Sequence, residues 1–179
     1  MITPQSARLK ATNNKAKSVT FISLIAATVL TAVYMAIPAY KGIVGMVLIT
    51  AIVVAVFVYT KYLAPIYFYD IGFDGYGVPV FIVREMTGRR QSTFARVSLA
   101  DITEIKRESA EERKKHKPPQ GYRSYIYSPT LDPDVTYRLT VVNRYEKAEI
   151  VIEVSEEYAA MLWAYAEEAR ANYPKDTDE

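Results

Sequence analysis

Residues 19–59 read VTFISLIAATVLTAVYMAIPAYKGIVGMVLITAIVVAVFVY, and Lys41 is the only charged residue among them. The runs Val19–Ile37 and Ile43–Tyr59 are 19 and 17 residues long, against the roughly 20 apolar residues that a helix needs to cross a bilayer. Because unpaired backbone amides are costly in lipid, we predict two transmembrane helices, at residues 19–37 and 43–60. The intervening Pro38–Gly42 predicts a tight turn. Residues 18–60 are therefore expected to form a membrane hairpin.

The charges lie unevenly around this hairpin. Arg8, Lys10, Lys15 and Lys17 precede it, whereas all 20 acidic residues lie beyond Lys61. The positive-inside rule then predicts that the N-terminus is cytoplasmic, and two crossings return the chain to the same side. The expected location is the cell (plasma) membrane, as a multi-pass protein whose N-terminus and C-terminal domain both face the cytoplasm.

A cleaved signal peptide is the alternative reading of a basic segment followed by an apolar run. Signal cores span about 7–15 apolar residues and end at a small-x-small cleavage site. The run Val19–Ile37 is longer, no convincing site of that kind follows it, and a second apolar run begins directly after the turn. A hairpin accounts for both runs.

Four segments follow from this reading: a basic cytoplasmic tail at 1–17, the hairpin at 18–60, a soluble domain at 62–173 and a flexible tail at 174–179. Residues 62–179 contain 16 basic and all 20 acidic side chains, which gives them a net charge of −4. Nucleic-acid-binding domains are usually basic. We therefore expect no nucleic-acid partner.

Short stretches of alternating apolar and polar residues, typical of strands, follow Pro65. Asp74-Gly75 favours a hairpin turn, so neighbouring strands are expected to be mostly antiparallel. We predict seven strands, at residues 66–73, 78–86, 91–98, 102–108, 123–127, 135–143 and 148–154.

The alternation also predicts which side chains face the core, because successive residues of a strand point to opposite faces. It places Arg138 and Glu153 on the solvent side. The predicted core residues are Phe81, Val83, Tyr137, Leu139, Val141, Ile150, Ile152 and Val154.

The last element is predicted to be an amphipathic helix. Ser155 is an N-cap residue followed by two glutamates, and Asn172 and Pro174 favour its end. Apolar residues recur at helical spacing between these limits, at Tyr158, Leu162, Tyr165 and Ala169.

Seven strands followed by one amphipathic helix resemble the pleckstrin-homology (PH) domain. The stretches YDIGFDGYG at 69–77 and VSLADITEI at 97–105 resemble the first hairpin and a later strand-entry step of bacterial and archaeal PH-like membrane proteins. In those proteins a two-helix transmembrane hairpin often precedes a single PH-like domain. The resemblance covers residues 18 to about 173. It implies an α+β membrane protein, with a transmembrane hairpin and an antiparallel seven-stranded PH-like barrel capped by a C-terminal α-helix.

For function, the resemblance implies interaction or scaffolding. PH domains that read phosphoinositides place Lys and Arg around the first hairpin turn, but Phe73–Gly77 contains Asp74 and no basic residue. This departure argues against headgroup binding at the usual place.

Catalytic and metal-binding residue types are scarce. The chain has no cysteine and one histidine, His116, whereas nucleophilic triads and most transition-metal sites use these residues. We expect no catalytic residue, no metal site and no cofactor. His116 lies within Arg113–Lys117 and is predicted to be solvated, in a long mobile loop at residues 108–120.

Two groups of side chains are candidate contacts. Arg84, Arg89, Arg90 and Arg96 surround one predicted hairpin and are candidates for contact with anionic lipid or a partner, although a merely solvated face fits them equally well. A second group of aromatic side chains follows the second helix closely, as membrane-interface anchors do. These candidate anchors are Tyr62, Tyr67 and Tyr69.

The sequence therefore predicts a non-enzymatic, membrane-anchored interaction or scaffolding module at the inner leaflet. Its expected partners are membrane lipid and either another protein or further copies of itself. The alternative is a sensor of anionic lipid or of a small ligand that uses the arginine-rich hairpin.

Overall fold

The computed structural model describes residues 2–9 and 14–172 of the protein. The chain divides into two compact units. The helical unit contains residues 11–65 and 129–131, and the sheet unit contains residues 1–10, 66–128 and 132–179.

The helical unit is a pair of long helices. Helix α1 spans Asn14–Ala36, a 3₁₀ turn spans Pro38–Tyr40, and α2 spans Lys41–Val58 and continues as a π turn at Tyr59–Leu63. At 1.5 Å per residue, α1 is about 35 Å long. The helices are long and apolar enough to cross a membrane, with mean hydropathies of 2.0 and 2.7. The prediction of two such helices is confirmed.

Small residues pack inside the helical unit and large apolar residues face outward. Ala27 and Ala55 are buried, and the Thr31 hydroxyl donates to the Ala27 carbonyl at 2.8 Å. Helices that associate in lipid use small residues at their contacts in this way. Large exposed side chains line both helices, among them Phe21, Ile22, Met35, Ile43, Met46 and Phe57. A helix surface that is apolar all round suits lipid.

Sheet A, the first of two sheets in the sheet unit, has the order β1-β2-β3-β4. Strand β1 pairs antiparallel with β2, with Ala7 opposite Tyr69. Since β1 precedes the hairpin and β2 follows it, the segment predicted as a basic tail contributes a strand to this sheet. The strands are β1 (Gln5–Leu9), β2 (Pro65–Phe73), β3 (Pro79–Thr87) and β4 (Arg90–Ser98).

Sheet B has the order β5-β7-β8-β6. Strand β7 is antiparallel to β5 and β8, whereas β6 is parallel to β8. A 3₁₀ turn at Leu99–Asp101 leads from β4 into β5, and helix α3 (Ala110–Lys115) lies between β5 and β6. Because β5 and β6 occupy opposite edges, the connection between them must cross the sheet. The strands are β5 (Ile102–Ser109), β6 (Arg123–Tyr127), β7 (Val135–Val142) and β8 (Lys147–Ile152).

The seven strands predicted from the sequence are all present, with boundaries within about two residues, but their assembly differs from the prediction. They form, with β1, two four-stranded sheets rather than a closed antiparallel barrel of seven strands. The crossing connection carries β6 to the far edge of sheet B, where it pairs in parallel with β8.

Helix α4 (Glu156–Asn172) covers the core of the sheet unit. The Ser155 hydroxyl accepts a hydrogen bond from the Tyr158 N–H at 3.2 Å, so the predicted N-cap is confirmed. Leu162 is fully buried among residues of both sheets, including Phe81 and Leu139. Burial of a large apolar side chain of this kind contributes about 1.5–3 kcal/mol.

Candidate functional sites

The four arginines predicted as a contact group all lie on the β3–β4 hairpin, but Arg84 is engaged within sheet A. Its Nε donates to Asp70 Oδ2, and its guanidinium lies 6.0 Å from the centre of the Phe68 ring. The hydrogen bond from Arg84 to Asp70 raises the pKa of Arg84 above its usual value. The charge of Arg84 is thus compensated inside the protein.

The other three arginines are exposed. Gly88, with a φ of 62°, allows the tight turn that projects Arg89, and Arg90 and Arg96 lie on β4. Within residues 2–9 and 14–172, Arg89, Arg90 and Arg96 form no ion pair with an acidic side chain. These three side chains remain available to an anionic partner.

Two of the three predicted membrane-interface tyrosines are core residues. Tyr67 and Tyr69 are 8% and 0% exposed, because alternate residues of β2 point into the core. The Tyr69 hydroxyl donates to the Tyr127 carbonyl at 2.6 Å, and its ring stacks on that of Phe81 with a centroid separation of 6.4 Å. The assignment of Tyr67 and Tyr69 as anchors is therefore wrong. Tyr62, in the π turn that follows α2, stays a prediction.

A buried ion cluster lies on the face of sheet B opposite the apolar core. We define the ion cluster as Glu108, Arg138, Glu149 and His116. Arg138 donates to both oxygens of Glu108, at 2.8 and 2.7 Å, and to Glu149 at 2.8 Å. The three side chains are 2–6% exposed. The alternation of apolar and polar residues predicted that Arg138 is solvated. That prediction is wrong, because the Arg138 side chain is buried.

His116 closes the ion cluster. Its Nε2 lies 2.9 Å from Glu149 Oε2, and its Nδ1 lies 4.0 Å from Glu108 Oε1. Burial alone would lower the pKa of Arg138, but its hydrogen bonds to Glu108 and the charges of both glutamates outweigh burial and raise that pKa. The prediction of a solvated loop histidine is wrong, because the connection that carries His116 packs onto sheet B.

That connection, which we call the strap, comprises residues 110–122 and is ordered by specific contacts. Ser109 and Glu112 form a capping box at the start of α3, in which the Ser109 N–H donates to Glu112 Oε2 at 2.8 Å. This backbone hydrogen bond is the largest cause of a lowered pKa of Glu112, and the hydrogen bond from the Ser109 hydroxyl is the next largest. Arg113 Nη2 donates to Asp132 Oδ1 at 3.1 Å. The predicted long mobile loop is thus a helix and an anchored strand-to-strand crossing.

The edge cleft is a hollow of about 240 Å³ where β4 faces β6, β7 and β8. The rings of Tyr125 and Tyr127 are parallel, with centroids 6.2 Å apart, and the Phe94 ring lies 5.8 Å from that of Tyr127. The Tyr127 hydroxyl donates to the Phe94 carbonyl at 3.3 Å. Burial raises the pKa of Tyr127, with the nearby Tyr125 and Glu146 contributing. Only the alternation of tyrosines in β6 hinted at this site from the sequence.

Metal ligands are not grouped in the described parts of the chain: no three or more Asp, Glu or His side chains there are arranged to hold a metal ion. Comparison with protein-family models, with curated proteins and with solved structures gives no match. The PH-like identity therefore stays a resemblance of the sequence, and arguments about function rest on the geometry of this chain.

Proposed function

We propose that this protein is a non-enzymatic, membrane-anchored interaction module of PH-like type. The hairpin of α1 and α2 crosses the plasma membrane twice, and the sheet unit is held at the cytoplasmic surface, where it binds a protein partner.

The pairing of β1 with β2 carries the topological part of the proposal. The hairpin lies between these two strands in the sequence, and the strands are paired in one sheet from Gln5 opposite Ile71 to Leu9 opposite Tyr67. This pairing supports a hairpin whose two ends lie on the same side of the membrane. The basic residues that precede α1 favour the cytoplasmic side.

Exposed apolar side chains on the sheet unit support the interaction part. Phe94 and Ile126 are 48% and 65% exposed, and each lies on a strand at the edge of a sheet. Aromatic residues and unpaired strand edges both favour protein contacts.

Cysteine accessibility tests the topology, because the chain contains no cysteine of its own. Gly42→Cys lies next to the turn between the helices, where an added Cβ meets no atom within 4 Å. We expect a membrane-impermeant maleimide to label Gly42→Cys in intact cells, and to label Arg89→Cys only after permeabilisation. The reverse pattern would overturn the proposed orientation.

Cross-linking in native membranes tests the partner. We expect the full-length chain to be cross-linked to one or a few proteins in stoichiometric amount, and a chain linked only to lipid would contradict an interaction role. A second copy as the only cross-linked protein would identify a self-assembling scaffold.

Sensing of anionic lipid is the second candidate function, and it is favoured by the three exposed arginines, Arg89, Arg90 and Arg96. Each basic residue held near an anionic surface contributes about 1 kcal/mol. An environment-sensitive dye at Thr87→Cys, in full-length protein in nanodiscs, is expected to shift its emission when phosphatidylglycerol replaces phosphatidylcholine. The shift should disappear when all three arginines are changed to Gln. Emission that is independent of lipid charge would exclude this function.

A further inference from the structure

The edge cleft is bordered by two strand edges that none of the described strands covers. Strand β4 is the last strand of sheet A, and β6 is an edge strand of sheet B. An edge strand presents a row of N–H and C=O groups that can pair with another chain. A side-chain hydrogen bond, from the Tyr127 hydroxyl to the Phe94 carbonyl at 3.3 Å, bridges the two edges. The gap therefore offers backbone groups to an extended segment.

The size and lining of the cleft suit side chains of a peptide. Its volume of about 240 Å³ is below the ~300–1,000 Å³ of typical small-molecule pockets. Its lining includes Tyr125 and Tyr127 of β6 together with Val141 and Ile150, which belong to the apolar core. An apolar side chain of an extended segment can be buried there.

The charges around the cleft select the chemistry of the segment. Strands β4 and β6 contain Arg90, Arg96 and Arg123 and no acidic residue. Of the charged residues that line the cleft, Glu146 is already engaged: it accepts from the Tyr125 hydroxyl at 3.0 Å and lies 3.5 Å from Arg123. Arg96, which also lines the cleft, and Arg90, at the start of β4, form no such pair in the described parts of the chain. Opposite charges on neighbouring strands stabilise pairing, and like charges oppose it. An acidic segment fits these edges.

Two other occupants fit less well. A second copy of β4 would bring the arginines of both chains into one ladder without an acidic residue, which costs free energy. A lipid headgroup carries negative charge but offers no row of backbone groups to pair with the strand edge.

We propose that the edge cleft binds an extended, acidic segment of a partner protein by strand addition, with acidic side chains near Arg90 and Arg96 and an apolar side chain against Tyr125 and Tyr127. This inference rests on the proposed interaction function and gives it a site. Recognition through added strands is an established way of combining backbone hydrogen bonds with side-chain pockets.

A peptide selection tests the inference. Full-length protein in phosphatidylcholine nanodiscs is used to select from a displayed library of random ten-residue peptides. We expect enriched peptides that alternate Asp or Glu with apolar residues. Their affinity should fall at least 10-fold for Arg96→Glu, while Lys106→Gln, an exposed change at the far edge of sheet B, should leave it unchanged.

N-methylation of an enriched peptide distinguishes strand addition from simple charge attraction. Methyl groups on alternate amides along one edge of the peptide should abolish binding, and methyl groups on the other edge should not. Equal binding by both methylated peptides, or no enrichment at all, would overturn the inference. So would enriched peptides whose affinity is the same for the wild type and for Arg96→Glu.

The cross-linking experiment separates this inference from the proposed function. If the native partner is cross-linked equally well to the wild type and to Arg96→Glu, the interaction function stands and the edge cleft is not its site. If no protein is cross-linked to either, the interaction function fails. Capture that depends on phosphatidylglycerol alone would assign the arginines to lipid and contradict the peptide site.

Discussion

Arg138 is the residue on which the buried charges of sheet B depend. Its guanidinium binds Glu108 and Glu149, and all three side chains are 2–6% exposed. Removal of one partner from a buried ion pair is costly because the other charge stays buried without compensation. Replacement of the whole set by apolar residues is often close to neutral.

We therefore expect Arg138→Met to lower the free energy of unfolding by about 3–5 kcal/mol. Trp163, the only tryptophan of the chain, lies in α4 and reports urea unfolding of the sheet unit by its fluorescence. The triple variant Glu108→Leu, Arg138→Met, Glu149→Leu should recover most of that loss. A loss below about 1 kcal/mol for Arg138→Met would show that the cluster is compensated in another way.

Tyr69 and Tyr62 differ in their surroundings although both were predicted to be membrane anchors. Tyr69→Phe removes the donor to the Tyr127 carbonyl, so we expect a loss of about 1–3 kcal/mol in the same urea measurement. Tyr62→Phe is the matched control and should change the stability of the sheet unit by less than about 0.5 kcal/mol. Equal effects of the two changes would contradict the core assignment of Tyr69.

Alkaline pH should destabilise the sheet unit through its buried phenols. Burial raises the pKa values of Tyr69 and Tyr158 far above the usual value of 10.0. A group whose folded pKa is raised stabilises the fold below its unfolded pKa, and that contribution is lost as pH rises beyond it. We expect the free energy of unfolding to fall above about pH 10. Absorbance at 295 nm should show these two phenols ionising only as the protein unfolds, and reversible ionisation in folded protein would contradict their burial.

Most elements could be predicted from the sequence, because local alternation and helical spacing specify them. The seven strands, the two apolar helices and the Ser155 cap depend on such local patterns. Strand β1 could not be predicted in this way, because QSARL lacks a clear alternation and its partner, Pro65–Phe73, lies beyond the hairpin. The order of sheet B likewise depends on a crossing that no local pattern encodes.

The candidate sites were harder to predict, because they too depend on contacts between segments that are distant in the sequence. Alternation places Arg138 on the face opposite the core, but it cannot show that the strap covers that face. Tyr67 and Tyr69 obey the alternation of β2, and their position soon after α2 suggested the membrane interface instead. The edge cleft arises where β4 meets β6, which are separated in the sequence by β5 and the strap.

A disulfide across β1 and β2 tests the pairing that the sequence did not predict. Arg8 and Phe68 are directly opposite in an antiparallel pair, and such residues lie about 4.5–5.5 Å apart, within reach of a disulfide. We expect Arg8→Cys, Phe68→Cys to be cross-linked by mild oxidation of native membranes. The control pair Arg8→Cys, Thr93→Cys, with Thr93 on β4, should stay reduced. Failure of the first pair would contradict both the sheet and the shared side of the hairpin ends.

On the scale of the whole molecule, the hairpin occupies the position of a turn between two paired strands. Leu9 is opposite Tyr67, near the start of β2, so a few residues suffice to join β1 to β2. The apolar core of the sheet unit draws on both sheets, α4 and Ile2.

We therefore expect the sheet unit to fold without its membrane segment. Replacement of residues 10–66 by an Asn-Gly turn, which joins Leu9 to its partner Tyr67, should give a soluble monomer with a cooperative urea transition at Trp163. The same protein without residues 2–9 should be less stable and should aggregate, because the edge of β2 is then uncovered. An unfolded chimera would show that the helices are required for the fold.

In the proposed membrane topology, the division of sheet A by the hairpin would also couple synthesis to insertion. Strand β1 leaves the ribosome before both helices, and its partner β2 emerges only after them, so sheet A cannot be completed until the hairpin has been made. A chain that inserts with a single crossing leaves β1 and β2 in different compartments, with the edge of β2 open. Such a chain exposes an unpaired strand, which favours aggregation and recognition by chaperones. Under the proposed topology, we therefore expect incorrectly inserted copies to be recognised by their open β2 edge.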